Sequence, residues 1–401
     1  MPSAAVLSFR LGGPDGVSVE AAKWVWALSR LGFSVRTVAG SGTADVLVPG
    51  LGYDAGGERR EPSPNASSQQ APPRPDRQSL LSALEGADLV VVENVCSLPL
   101  NPGASRLVAS ALEGRPALMH HHDLAWQRPG PARERPGLGW QRPGLGWQRP
   151  GLARPAAPPD DPAWSHVAIS DLSRTQLARA GIEAVTIYNA FDPDPAPGRR
   201  EVTRAALHIG PGELLLLQPT RALARKRVAS GILLATALGA TYWLLGPAED
   251  GYQARLEQLL ESSRAPVRYG LAAGGAGTTV ADAYAACDAV ALPSGWEGFG
   301  NPALESAVRE RPLAIGRYPV AAELAGFGFQ WFPADDPGQL RSWLESPDRD
   351  RLAVNHALAR RHFSIHDLPA RLARALPPGA LPPGALPSPR GGGSRPRRGG
   401  C

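Results

Sequence analysis

The sequence predicts two successive parallel α/β domains that face each other across a cleft. Three observations carry this expectation. Short, bounded apolar runs alternate with helical patterns over most of the 401 residues, as parallel strands and their crossover helices do. The length suits two domains of ordinary size, and an apolar fraction of 43% can build a core for each. A Pro-rich stretch, Asp192-Pro193-Asp194-Pro195-Ala196-Pro197-Gly198, divides the elements near the middle and reads as a hinge.

The elements follow in order. Strands are expected in the first half at residues 4–9, 34–39, 89–93, 117–121, 167–169 and 184–187. Between the first two lies a glycine turn, Gly12-Gly13-Pro14-Asp15-Gly16, and then an amphipathic stretch over residues 17–31. The second half continues with strands at residues 214–219, 242–245, 267–269, 289–292 and 313–315, with helices over 253–261 and 302–309 among those between them. The domains are therefore set at 1–192 and 201–376, with a linker at 193–200 and a disordered tail at 377–401. Loops after strand C-termini should face the cleft in both domains.

Two insertions interrupt the pattern. Residues 53–79 are rich in Gly, Pro, Ser and Gln and read as a surface loop. Residues 126–155 repeat Trp-Gln-Arg-Pro-Gly from Trp126, Trp140 and Trp147, a tandem-duplicated loop too short in period to build a solenoid. This loop is either a tolerated insertion or a cover for an acceptor site.

Composition narrows the function. The formal charge is +5, but the stretch 127–154 holds six Arg against one Glu, and 376–401 holds four Arg and no acid. The remainder is net acidic, which argues against a nucleic-acid partner. No run approaches about 18 apolar residues, so no integral membrane segment is expected. The first ten residues read as a strand rather than a signal peptide. Three scattered cysteines show neither metal spacing nor a disulfide framework, which fits a cytoplasmic setting.

The chemistry concentrates in Pro293-Ser294-Gly295-Trp296-Glu297-Gly298-Phe299-Gly300-Asn301-Pro302-Ala303-Leu304-Glu305. Two carboxylates stand eight positions apart around a glycine turn between an apolar strand and a helix. Asn301 is expected as the N-cap, with Pro302 as the first helical residue. Such a turn offers free N–H groups and the positive helix end to a phosphate. Glu297 would sit beside that anion, with Glu305 one turn into the helix on the same crevice.

Arg221 and Lys226 follow the strand at 214–219, five positions apart. The chain has only two lysines, Lys23 and Lys226, so a Lys amid such Arg bias suggests a site that wants a compact point charge. Beside the glycine turn, these cations form a diphosphate clamp. Gly12 and Gly13 would let backbone approach a ligand phosphate, although the dinucleotide fingerprint spacing is missing. In His120-His121-His122-Asp123, successive strand residues point to opposite faces and cannot all bind one ion. One histidine, His122, is therefore expected to face the cleft.

In these motifs the chain resembles the retaining glycosyltransferases of family 4, which have the GT-B fold: two Rossmann-like α/β domains facing each other across a cleft. The likeness runs through Gly12-Gly13, His122-Asp123, Asn189-Ala190-Phe191-Asp192, Arg221 with Lys226, and above all Glu297-Gly298-Phe299-Gly300 to Glu305. Gly246 and Tyr284-Ala285-Ala286-Cys287-Asp288 support it. The chain departs from the pattern at Arg311-Pro312, where a Gly usually precedes the Pro, and at Asn189-Ala190, where Asn-Gly is usual.

The resemblance implies a hexosyltransferase that moves a sugar from a nucleotide-diphosphate sugar to an acceptor hydroxyl with retention of anomeric configuration. The acceptor class, whether small molecule, lipid or glycan, stays open. No cofactor and no metal are expected. Arg221 and Lys226 would hold the diphosphate, helped by the backbone of Gly298, Phe299, Gly300, Gly12 and Gly13. Glu297 would bind sugar hydroxyls and support the oxocarbenium-like transition state, Glu305 the nucleotide ribose, and His122 would lie near donor sugar and acceptor. The alternative is a sugar-nucleotide-binding protein with little catalysis, acting through its Trp/Arg loop and basic tail. Phosphorolysis with pyridoxal phosphate is a third reading, limited to Lys23 and Lys226 as Schiff-base candidates.

Overall fold

The computed structural model describes residues 1–52, 76–98, 100–127 and 157–382. The repeat copies at Trp140 and Trp147 lie outside these residues. The first sheet comprises β1 (Ser3–Leu11), β2 (Ser34–Gly42), β3 (Val46–Leu47), β4 (Leu89–Glu93), β5 (Ala117–His121), β6 (Trp164–Ala168) and β7 (Val185–Thr186). The second comprises β8 (Leu215–Gln218), β9 (Thr241–Leu244), β10 (Val267–Tyr269), β11 (Ala289–Leu292), β12 (Leu313–Ile315) and β13 (Phe332–Pro333). Every pairing within them is parallel.

The strand orders are β3-β2-β1-β4-β5-β6-β7 and β10-β9-β8-β11-β12-β13. Each sheet therefore reverses direction once, between β1 and β4 in the first and between β8 and β11 in the second. A parallel sheet opens a crevice at the carboxyl ends of the two strands flanking such a reversal. The strands β4, β5, β8, β9 and β11 are buried along their whole length, as a sheet covered by helices on both faces requires. Two elements were invisible in the sequence: β3 and β13 have two residues each, too few to show a period.

Three expectations need correction. The helix Arg77–Ala83 begins inside the loop expected at 53–79, because Asp76 caps it by accepting from the Ser79 amide at 2.8 Å. The helix Leu368–Ala375 packs on the first domain, not the second. Its Leu368, Leu372 and Ala375 join a cluster with Trp24, Leu28 and Val167. The expected disordered tail starts too early, since Ala380 is buried in that same cluster and its amide donates to the Pro377 carbonyl. Small apolar residues of the Pro-Pro-Gly-Ala-Leu repeat cover part of the first domain there. Residues 383–401 lie outside the described residues.

The domains meet at a ring cluster. Phe299 lies 6.2 Å from Tyr188, 6.3 Å from Phe191 and 6.2 Å from Phe363. The chain crosses back through a parallel bridge between Phe191 and Ser364. Burial pushes the thiols of Cys96 and Cys287 up to about 12, so both are inert small hydrophobes. Among the described residues, no helix is long and apolar enough to cross a membrane.

Candidate active site

Four loops flank the two sheet reversals, following β1, β4, β8 and β11. The loop after β5 joins them. Together they carry most of the residues singled out from the sequence.

The loop after β11 runs from Pro293 to Gly300 into the helix Asn301–Val308. Gly300 has φ +97°, and a Cβ there would stand 2.3 Å from the Tyr318 hydroxyl, so glycine is required on both counts. Gly300, not Asn301, is the N-cap. The Asn301 side chain is used elsewhere: its Oδ1 accepts from Asn189 Nδ2 of the other domain at 2.8 Å. Phe299 drives its ring into the inter-domain cluster, which fixes the backbone of Gly298 and Gly300 around it.

Glu297 is only 4% exposed. Its carboxylate accepts from Lys226 Nζ at 2.5 and 2.6 Å and from Arg225 Nη1 at 2.8 Å. Burial alone would raise its carboxyl, but Lys226 and Arg225 hold it well below the ordinary range. Burial lowers the Lys226 ammonium against the pull of Glu297. Arg225 also donates to the Trp296 carbonyl at 3.1 Å, tying the β8 loop to the β11 loop.

Arg225 was not read from the sequence. Its only signal is its place beside Lys226 in a basic run. Arg221, which was, pairs with Glu249 from the loop after β9. It is not bonded to the Lys226–Glu297 pair. Gly246 makes this turn possible, since a Cβ there would lie 2.7 Å from the Arg221 Cα. Glu305 stands on the helix after Gly300 and accepts from the Tyr284 hydroxyl at 2.6 Å. Tyr284 belongs to the motif that supported the resemblance.

The first domain supplies the opposite wall. Gly12 has φ +74° and turns the chain after β1. Gly13 precedes Asp15, which caps the helix Gly16–Arg30 by accepting from the Ser18 amide and pairs with Arg10 at 3.2 Å. Arg221 contributes to holding down the Asp15 carboxyl, after its bonds to Ser18 and the charge of Arg10 have outweighed burial. The β1 and β8 loops thus face each other. At Gly16 a Cβ would come within 3.9 Å of Asn301 Nδ2.

The histidine run divides as a strand dictates. His121 points to one face, with Nδ1 2.6 Å from Ser97 Oγ and Nε2 2.9 Å from His166 Nδ1. His120 and His122 share the other face and one carboxylate: Glu93 Oε2 lies 2.8 Å from His120 Nδ1 and 2.7 Å from His122 Nε2. These ligand-type atoms fall within 4.8 Å of one another. One nitrogen of each ring is bonded to the same oxygen, while His120 Nε2 and Glu93 Oε1 have no partner among the described residues. Glu93 and Asn94, which supports the next turn, also escaped the sequence reading. The signal available was an acid closing an otherwise wholly apolar strand.

The two walls approach closely. A Cβ at Gly298 would stand 2.6 Å from the His122 carbonyl oxygen and 2.7 Å from Asp123 Oδ1. The glycine turn of one domain and the His122-Asp123 turn of the other are therefore in contact. The first repeat copy is anchored nearby in sequence, with Trp126 Nε1 donating to Gln176 at 2.9 Å.

No family model matches the chain. It is 25% identical over 437 residues to the mannosylglucosylglycerate synthase of Thermotoga maritima, covering 93% of this chain and 99% of that one. It is 25% identical to the enzyme of the same name from Petrotoga mobilis, over 81% of this chain and 85% of that one. Among solved structures, Anabaena HepE in complex with UDP-glucose superposes with a TM-score of 0.62 at 17% identity, over 92% of this chain and 98% of that one. Sucrose-phosphate synthase from Thermosynechococcus elongatus gives 0.60 at 15% identity, over 93% and 98%. The shared architecture is GT-B.

Proposed function

We propose that this chain, a glycosyltransferase of GT-B architecture, moves a hexosyl group from a nucleotide-diphosphate sugar to an acceptor hydroxyl with retention of configuration and without a metal. The observation that carries the reading is the convergence of Lys226 and Arg225 on Glu297, opposite the His122-Asp123 turn. A diphosphate entering beside these loops competes with Glu297 for both cations. The carboxylate so released turns to the donor-sugar hydroxyls and to the positive charge that develops as the glycosidic bond lengthens. Fixed cations and the amides of Gly298, Phe299 and Gly300 stabilise the leaving diphosphate, the task a metal performs elsewhere. Arg221 supplements them from the β8 loop, Gly12 and Gly13 close from the first domain, and Glu305 binds the ribose. The diphosphate oxygen then takes the acceptor proton on the face it leaves, which retains configuration.

A UDP-glucose complex within the same fold supports a nucleotide-sugar donor. The name of the curated relatives makes a mannosyl donor and a glucosylglycerate acceptor the first pair to try. A thermal-shift screen against UDP-, GDP- and ADP-sugars identifies the donor, because ligand binding to the native state raises its melting temperature. Transfer is then followed by NMR with and without chelator. An α-linked product from an α-linked donor, undiminished by chelator, is the expected result. Inverted product, chelator-sensitive turnover, or donor binding without transfer to any hydroxyl acceptor would overturn it.

A further inference from the structure

We propose that Glu93 and Asn94 form a positioning pair for His122 and Asp123, so that two consecutive residues at the end of β4 set both the ring and the backbone of the turn that meets Gly298. This rests on the reading of His122 as a group beside the donor sugar.

The geometry assigns the two side chains separate tasks. Glu93 Oε2 accepts from His122 Nε2 at 2.7 Å and fixes the ring by its far nitrogen, leaving Nδ1 as its other polar atom. Asn94 Oδ1 accepts from the amides of His122 at 3.1 Å and Asp123 at 3.2 Å. Asn94 itself adopts φ +65°, a left-handed conformation that costs free energy and persists where the surroundings over-determine it. Register supports the arrangement, since Glu93 pairs directly with His120 across β4 and β5.

A purely structural origin fits poorly. Glu93 is fully buried and its Oε1 has no hydrogen-bond partner among the described residues. A buried carboxylate is costly against an apolar side chain of similar size, and this one sits at the sheet reversal where ligands of such folds bind. His120 completes the support from beneath. It stacks on Trp24 at 3.9 Å, and burial drives its pKa down to about 4, so its neutral ring donates Nδ1–H to Glu93.

The groups facing the His122 ring come from several elements. Glu93 reaches it from β4, His120 from its own strand, and Glu20 from the first helix, where it is paired with Lys23. Asp123 follows it in the chain, and the Gly298 turn of the second domain lies against its carbonyl. Burial opposes charge on the ring, yet the bond to Glu93 and the charges of Glu93, Glu20 and Asp123 outweigh it and raise its pKa. The bond to Glu93 thereby favours the charged form of the positioned ring, which when protonated donates at both nitrogens, beside a departing diphosphate.

Three variants test this on the full chain with the nucleotide sugar that gives the largest thermal shift: Glu93→Gln, Asn94→Gly and His122→Gln. Glu93→Gln keeps size and hydrogen bonding but removes the charge. It is expected to lower kcat at least about tenfold and to move the alkaline limb of the kcat/KM profile to lower pH. Glu93→Asp, which restores the charge, should return the limb toward its original position. Asn94→Gly tolerates the positive φ while deleting the cap, and should lower kcat with the limb unmoved. If His122→Gln is impaired while Glu93→Gln keeps the parental kcat and limb, the pairing is wrong although the site reading survives. If His122→Gln turns over at the parental rate, the reading of His122 fails and this inference with it.

Discussion

Lys226 and Glu297 stand 71 positions apart in the chain yet meet in a two-pronged ion pair, the ammonium 2.5 and 2.6 Å from the two carboxylate oxygens. The contact exists because the β8 and β11 loops rise side by side from neighbouring strands. Removing one partner of a buried pair leaves an uncompensated charge, at a cost of about 3–5 kcal/mol. Lys226→Met should therefore lower the urea midpoint markedly, softened by Arg225, which still pairs with Glu297. Adding Glu297→Gln to Lys226→Met should recover part of the loss. A double variant no more stable than Lys226→Met would show that the pair does not form. Both single variants, tested as Lys226→Ala and Glu297→Ala, should lose at least about a hundredfold in turnover.

The same pair contributes to the acid sensitivity of the protein. Lys226 and Arg225, against burial, hold the folded-state pKa of Glu297 at about 2, below an ordinary 4.5. A depressed carboxyl contributes stability that is present above its unfolded value and lost as pH falls through the folded one. Between about pH 5 and pH 2 the Glu297 contribution, on the order of 3 kcal/mol, should disappear. Urea unfolding at pH 7 and pH 3.5 measures the first part of this loss, about 1.4 kcal/mol. Glu297→Gln should show a smaller difference between the two pH values than the parent chain, and an equal difference would refute the assignment.

How much of this was legible in the sequence follows from range. β4, β5, β10, β11 and β12 were read to the residue, because a bounded apolar run is a local signal. The glycine turn at Gly298–Gly300 was legible for the same reason. What escaped depends on distant partners. Asn301 satisfies every local rule for an N-cap, yet its side chain bonds to Asn189 of the other domain, and no local rule registers that competition. Arg221 and Arg225 are equally placed by spacing, and only the positions of Glu249 and Glu297 separate them. Glu93 was read as a strand end, since its two histidine partners lie 27 and 29 positions away.

Gly298 tests the contact between the domains. Its φ is not in the left-handed region, so alanine is disfavoured there by space alone. A Cβ at 2.6 Å from the His122 carbonyl oxygen is far inside contact distance, and backbone must shift to admit it. Gly298→Ala should leave each domain folded by circular dichroism while reducing turnover at least about tenfold, since a displacement of about 1 Å from reacting geometry is that costly. Parental turnover in this variant would mean that the two turns need not approach during reaction.

Glu323 offers a second, gentler handle on the same closure. It stands on the helix Pro319–Ala325 of the second domain, and its two oxygens accept from the amides of Asp171 at 2.7 Å and Leu172 at 3.0 Å. These amides open the helix Asp171–Arg179 of the first domain. One domain thus caps a helix of the other, satisfying donors left free at the helix start and placing a negative charge at its positive end. Such a cap contributes about 1 kcal/mol, little for folding but enough to shift an open–closed balance about fivefold. Glu323→Ala should raise the radius of gyration in small-angle scattering and raise the donor KM several-fold. It should leave kcat within about twofold, because Glu323 touches none of Lys226, Glu297 or His122. An unchanged radius and KM would show that the contact does not hold the domains together. A collapse of kcat with unchanged KM would place Glu323 in the chemistry instead.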